Sequence, residues 1–240
     1  MKKKTAILWL VGLFLLAACA SEAAPPEDTT PAETVSAGEP AAPTEAPAEA
    51  SDAPAGEMRL FSPSFENEGV IPFLYGMPPF NVTYGERNFV CSGKDAEKEN
   101  ISPAMMWENV PAEAESLLLV MVDKMSYAHD QLPDAAAFPH WLVYNIPPET
   151  SGFPETKGGE LALPEGAAEG MNGYSEEFSH GYGGPCPPPN EEHQYLFTLY
   201  ALDTVLDAEP EIWKEGLLDL SAIEPHVIAE ASWVGYYTNQ

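Results

Sequence analysis

Basic side chains are scarce in this chain. Its 240 residues carry 10 Lys and Arg against 38 Asp and Glu, a formal net charge of −28. A surface this acidic repels nucleic acid and anionic headgroups, which removes both as partners for the surface as a whole. An anion would have to be held in a local pocket, against the field of the rest of the molecule. A comfortable membrane span is also missing: TAILWLVGLFLLAA, residues 5–18, is shorter than the roughly 20 apolar residues it needs. Signatures of hydrolases and metal sites are absent as well. There is no GxSxG elbow, and Ser175 and Ser179 beside His180 sit in no convincing nucleophile context. No HExxH and no paired-Cys spacing marks a metal site, although His140, His193 and Asp123, or these with His180, would be its ligands. The sequence therefore predicts no catalytic residue, no metal and no cofactor. What it does have is apolar bulk, 45% hydrophobic and 10% aromatic, enough for a real core under an acidic surface.

MKKK followed by that apolar run has the form of a secretory signal. The run ends in Leu16-Ala17-Ala18-Cys19, which resembles the lipobox of bacterial lipoproteins, where the Cys is diacylated and becomes the new first residue. The alternative is an ordinary signal peptide cut near Ala18. The placement of Cys19 directly after small residues favours the lipoprotein. Residues 1–18 are read as a lipoprotein signal peptide and Cys19 as the lipidation site. The protein is then extracytoplasmic, held by lipid to a membrane of the bacterial cell envelope. Loss of Lys2, Lys3 and Lys4 would leave 38 acids against 7 bases, a net charge of −31. Residues 19–57 read as a linker. From 20 to 57 there are 12 Ala, 7 Pro and 9 acids, with Val35 the one bulky apolar side chain. Nothing there offsets the entropy of ordering the backbone, so a disordered spacer is expected.

The folded domain is expected over 58–240. RLFSPSF reads as a first strand that breaks at Pro63, and 73–88 as an irregular excursion before a strand at Phe89–Cys91. Pro103 bars a helix in the segment that carries Trp107, a core candidate. Leu117–Val122 is an unbroken apolar run too short for a free helix, the pattern of a strand buried on both faces, with Asp123 at its end. A second such strand is Trp141–Ile146, with His140 at its start; a third is Tyr195–Leu202. Residues 147–192 form a long Gly/Pro/Glu-rich connection between the second and third. Ser221 and Glu224 fit a capping box, and Ile223, Val227 and Ile228 recur at helical spacing, which predicts short helices near the carboxyl terminus. The final WVGYYTN reads as a strand or extended tail. A mainly β domain, most simply a β-sandwich with short C-terminal helices, follows.

The chemistry concentrates in Gly181–Asp203, GYGGPCPPPNEEHQYLFTLYALD. Glycines let backbone approach a ligand closely and prolines hold the loop in one shape. His193 and Tyr195, two apart on a strand, face the same side and so line one pocket. Asp123 and His140 stand at the mouths of the other apolar strands. Singly, an Asp there caps a turn and a His is a structural hydrogen-bonder. Their convergence beside one rigid loop is what suggests a site.

PHWLVYNIP, GYGGPCPPP and HQYLFTLYALD, with SPAMMWENVP, SLLLVMVD, SPSF and GVIP upstream, resemble the phosphatidylethanolamine-binding protein family and its bacterial Raf-kinase-inhibitor-like branch, over about Met58–Tyr237. The resemblance implies a β-sandwich with a small pocket for phosphate-like or carboxylate groups, formed here by Asp123, His140, Gly184, Pro185, His193 and Tyr195. Asp123 would fix a His tautomer or take the ammonium of an ethanolamine-like headgroup. Two departures stand out. The family's Asp-Pro-Asp-Ala-Pro block reads Asp123-Lys124-Met125-Ser126-Tyr127, and the Arg between the pocket His and Tyr is Gln194. The expected partners are a small anionic, phosphate- or carboxylate-bearing ligand and the membrane through the lipid anchor. The alternative is a protein-interaction role such as inhibition of an envelope protease. Cys91 and Cys186 remain after lipidation of Cys19, and in an oxidising compartment they either pair or stay as buried thiols.

Overall fold

The computed structural model describes residues 56–79, 81–84, 87–91, 100–124, 137–156, 161–174, 180–214 and 217–239. The signal segment, Cys19 and nearly all of the linker lie outside them, as do Met125, Ser126, Tyr127, Ser175 and Ser179.

The organising strand is β6, Ser116–Asp123, whose eight residues are all buried. Side chains alternate across a strand, so an unbroken apolar run has to be covered twice. One face, Leu117, Leu119 and Met121, packs with Leu60, Trp107 and Phe153 in the main core. The other, Leu118, Val120 and Val122, packs with Leu142, Leu202, Ile212 and Ile223 in a second, smaller core. The flanking strands are β7, Phe138–Ile146, and β10, Glu192–Leu202, both antiparallel to β6. Beyond β10 lies β13, Val227–Thr238, and beyond that the short β2, Gly69–Val70, which runs parallel to it. With β9, Ala168–Glu169, on the far side of β7, these make a six-stranded sheet in the order β2-β13-β10-β6-β7-β9.

A three-stranded sheet faces it across the main core: β1, Arg59–Phe61; β5, Met105–Glu108; and β8, Gly152–Phe153, in the order β1-β5-β8. Two hairpins stand apart, β3 with β4 (Asn81–Tyr84, Arg87–Val90) and β11 with β12 (Trp213–Lys214, Leu217–Leu218). The fold is mainly β, as the sequence patterning predicts. The excursion at 73–88 holds a 3-10 turn at Phe73–Tyr75 and most of the β3–β4 hairpin. The long connection at 147–192 supplies one short strand to each sheet, β8 and β9.

The carboxyl-terminal helices are corrected to single 3-10 turns, Leu220–Ala222 and Glu224–His226. Ser221 is not the cap; the Asp219 carboxylate accepts from the Ser221 N–H at 3.0 Å. Pro225 sits at the start of the second turn, and Val227 at its end is already extended. Val227 and Ile228 open β13 instead of continuing a helix. From there Trp233, Gly235 and Tyr237 turn to one face and Val234 and Tyr236 to the other, a period of two that outweighs the short helical spacing before it.

Candidate functional site

The end of β6 positions the site. Asp123 pairs with Phe138 of β7 on one side and with Tyr195 of β10 on the other, and Tyr195 pairs in turn with Gly235 of β13. One row across the sheet therefore brings these residues together, with Gly235 adding no side chain. His193, two residues before Tyr195, sits on the same face opposite Tyr237. His140 lies within β7, not at its start. The pairing of β6 with β7 jumps from Met121–Trp141 to Val122–Pro139, so His140 is the extra residue of a bulge. Bulges re-aim side chains next to binding sites, and this one turns the imidazole toward the Asp123 row.

Both imidazoles are oriented through Nδ1. His193 Nδ1 lies 2.7 Å from Asp123 Oδ2, in a pair whose side chains are 5% and 7% exposed. His140 Nδ1 lies 2.6 Å from the carbonyl oxygen of Gly183, while the Gly183 N–H donates back to the His140 carbonyl at 2.7 Å. A carbonyl only accepts, so Nδ1 of His140 carries the hydrogen and the neutral ring holds its lone pair at Nε2. Three aromatic rings box this imidazole edge-on, Phe138 and Tyr195 at 5.1 Å and Tyr174 at 5.5 Å between centroids. Burial pushes His140 below the ordinary imidazole value, opposed in part by the charge of Asp123. The second ring nitrogen of His193 is 3.6 Å from the Glu191 carboxylate.

The phenols behave differently. Burial holds Tyr174, Tyr182 and Tyr195 well above the usual tyrosine value, so all three keep their protons as donors. Tyr174 donates to the carbonyl of Gly184 at 2.8 Å and Tyr182 to that of Tyr75 at 2.8 Å. Tyr195 is wholly buried, and its hydroxyl has no hydrogen-bond partner among the described residues. A buried hydroxyl left unpaired costs about 1–3 kcal/mol.

Gly184 and Pro185 contribute shape. The Gly184 N–H already donates to Asn100 Oδ1 at 3.1 Å, and the Pro185 carbonyl accepts the Met77 N–H at 2.9 Å. A Cβ on Gly184 would stand 2.5 Å from that same Met77 nitrogen and 2.7 Å from the Tyr75 carbonyl. Only glycine lets the loop lie flat on residues 75–77. A disulfide between Cys91 and Cys186, with 5.2 Å between Cα atoms, ties the next residue of the loop to the end of β4.

Sequence reasoning missed Tyr174, Tyr182 and Asn100. Tyr174 follows Asn172-Gly173, a turn dipeptide, and its N–H bonds to Asn172 Oδ1 at 2.9 Å; that Asn-Gly pair was the available signal. The departure at Gln194 points away from the site, since its side chain donates to the Tyr236 hydroxyl at 3.0 Å on the other face of the sheet. Lys124 extends the ladder through its N–H to the Gln194 carbonyl. His180 is exposed and bridges to Met171, apart from the two pocket histidines. Among the described residues no three His, Cys, Asp or Glu side chains are grouped to hold a metal ion.

The chain is similar to known proteins in sequence and in fold. The sequence model of the phosphatidylethanolamine-binding protein family matches residues 61–238. A UPF0098 protein of Methanothermobacter thermautotrophicus is 41% identical over 182 residues, 75% of this chain and 98% of the relative. One from Chlamydia trachomatis is 34% identical over 165 residues, 69% of this chain and 93% of its own. A crystal structure of a phosphatidylethanolamine-binding protein homologue from Chlamydia trachomatis superposes with a TM-score of 0.56 at 31% identity, covering 78% of this chain and 100% of that one. YbcL of Escherichia coli shares the fold with the same TM-score, 0.56, at 24% identity, covering 77% and 99%. This chain belongs to the phosphatidylethanolamine-binding protein family.

Proposed function

We propose that this is a non-catalytic binding protein whose pocket, formed around Asp123, His140, His193 and Tyr195, takes a small phosphate- or carboxylate-bearing anion. The observation that carries the reading is the fully buried Tyr195 hydroxyl, without a partner among the described residues, beside two imidazoles whose Nδ1 atoms are engaged by Gly183 and Asp123. An oxyanion would accept from that hydroxyl. Rings already held in place lower the entropy lost on binding. The lipobox-like Leu16–Cys19 supports a lipid-anchored, extracytoplasmic setting for the pocket.

The test is an NMR titration of the full chain with inorganic phosphate and phosphoethanolamine. Ligand at millimolar concentration shifts the His140 and His193 ring resonances and leaves exposed His226 in place. Unmoved pocket imidazoles would reject the site.

A further inference from the structure

We infer that Cys186 is a thiol-exchange site: a dithiol opens the Cys91–Cys186 bond at the Cys186 sulfur, without unfolding the domain, and the bond re-forms in place.

The two sulfurs are unequally accessible. Cys91, just past β4, has no exposed surface, whereas Cys186 is half-buried in the loop. An attacking thiolate has to reach a sulfur, so access points it at Cys186. Leaving-group chemistry runs the other way, because a half-exposed thiolate departs more readily than a buried one. Access decides, since a wholly covered sulfur is out of reach until its neighbours move aside. In the first step the thiolate bonds to Cys186 Sγ and the bond to Cys91 breaks. Cys91 leaves with the electron pair and takes a proton from solvent. The second thiol of the dithiol then displaces Cys186, so two electrons pass to the cysteines and the dithiol becomes a disulfide.

The loop can open at this end alone. Before Cys186 it is held without the disulfide. Gly183 exchanges two hydrogen bonds with His140, Gly184 is bonded to Tyr174 and Asn100, and the Pro185 carbonyl takes the Met77 N–H. After Cys186 come Pro187, Pro188 and Pro189, which have no N–H to give. Main-chain donors resume at Asn190, whose N–H reaches the Asn239 carbonyl at 2.9 Å. Opening the bond therefore loosens residues 186–189 and the end of β4 while the His140 side stays held. The fixed φ of three successive prolines limits how far the freed segment moves, so Cys186 stays within reach of Cys91 and the pair closes again. Cys19 is the one other cysteine of the sequence and is the residue proposed for lipidation, which leaves Cys91 as the resolving thiol.

The first test treats the full chain with glutathione, quenches with acid and maps the peptides. The adduct should sit on Cys186, with Cys91 as the free thiol. The second follows reduction by dithiothreitol without urea and in about 1 M urea, where the rate should change by less than about twofold. A bond that opens only on unfolding would instead be reduced roughly thirtyfold faster per molar urea. The third compares two variants. Iodoacetamide should alkylate Cys186 in folded Cys91→Ser at least about tenfold faster than Cys91 in folded Cys186→Ser. An adduct on Cys91, the thirtyfold acceleration or equal alkylation of the two would each overturn the inference. The native-chain measurements decide it if a variant fails to fold. None of these readouts uses an anion, so their failure leaves the pocket proposal standing.

Discussion

At the scale of single residues, the two histidines do different work because their partners differ. His193 leans on a carboxylate, whereas His140 leans on a neutral carbonyl inside an aromatic box. Burial makes the folded protein resist a proton on His140 that the unfolded chain takes up near pH 6.5. Its folded value being depressed, the unfolded state binds more protons below that pH. The stability contribution is therefore full above about pH 6.5 and is lost as the pH falls, at a limiting slope of about 1.4 kcal/mol per unit. His140→Gln should flatten this part of the curve. Urea denaturation of both proteins between pH 7 and pH 5 measures it, and parallel pH dependences would refute the assignment. Glu169, raised by burial, acts in the opposite direction, and comparing the variant with its parent cancels it.

At the scale of elements, legibility follows the strength of the local pattern. β6 and β10 were readable because an unbroken apolar run bounded by polar residues has few other structures open to it. The first half of β13 was not, because Ala and Ser dilute its alternation and a chance capping-box spacing precedes it, whereas its end, WVGYYT, already read as a strand or extended tail. The pocket loop is an element without secondary structure, held instead by its bonds to residues 75–77, to Asn100 and to Cys91. The Cys91–Cys186 link closes a loop of sequence separation 95. In the chain-entropy account such a closure stabilises by about 4–5 kcal/mol. Reduction should lower the urea midpoint correspondingly, and a midpoint indifferent to reductant would show that the bond contributes nothing.

For the whole molecule the governing quantity is charge. The anion proposed for a chain at −28 would have to sit where solvent and the global field are excluded, and the row of β6, β7 and β10 side chains is buried. The lipid-anchor proposal belongs to this scale as well. Full-length protein should partition with detergent on phase separation and Cys19→Ser should stay in the aqueous phase. Identical partitioning of the two would end the lipoprotein reading.

The sequence alone determined the mainly β class and the three buried central strands and pointed to the residues of the candidate site, because each is written in short-range periodicity or in a local Gly/Pro motif. Tertiary structure decided what those residues can do. The bulge that turns His140, the carbonyl and carboxylate that assign each Nδ1, the arrival of Tyr174 from a distant connection and the solitary Tyr195 hydroxyl all depend on strand register and on contacts between segments far apart in the chain. Pairing across a sheet is set by how two cores fill at once, and no local pattern encodes that.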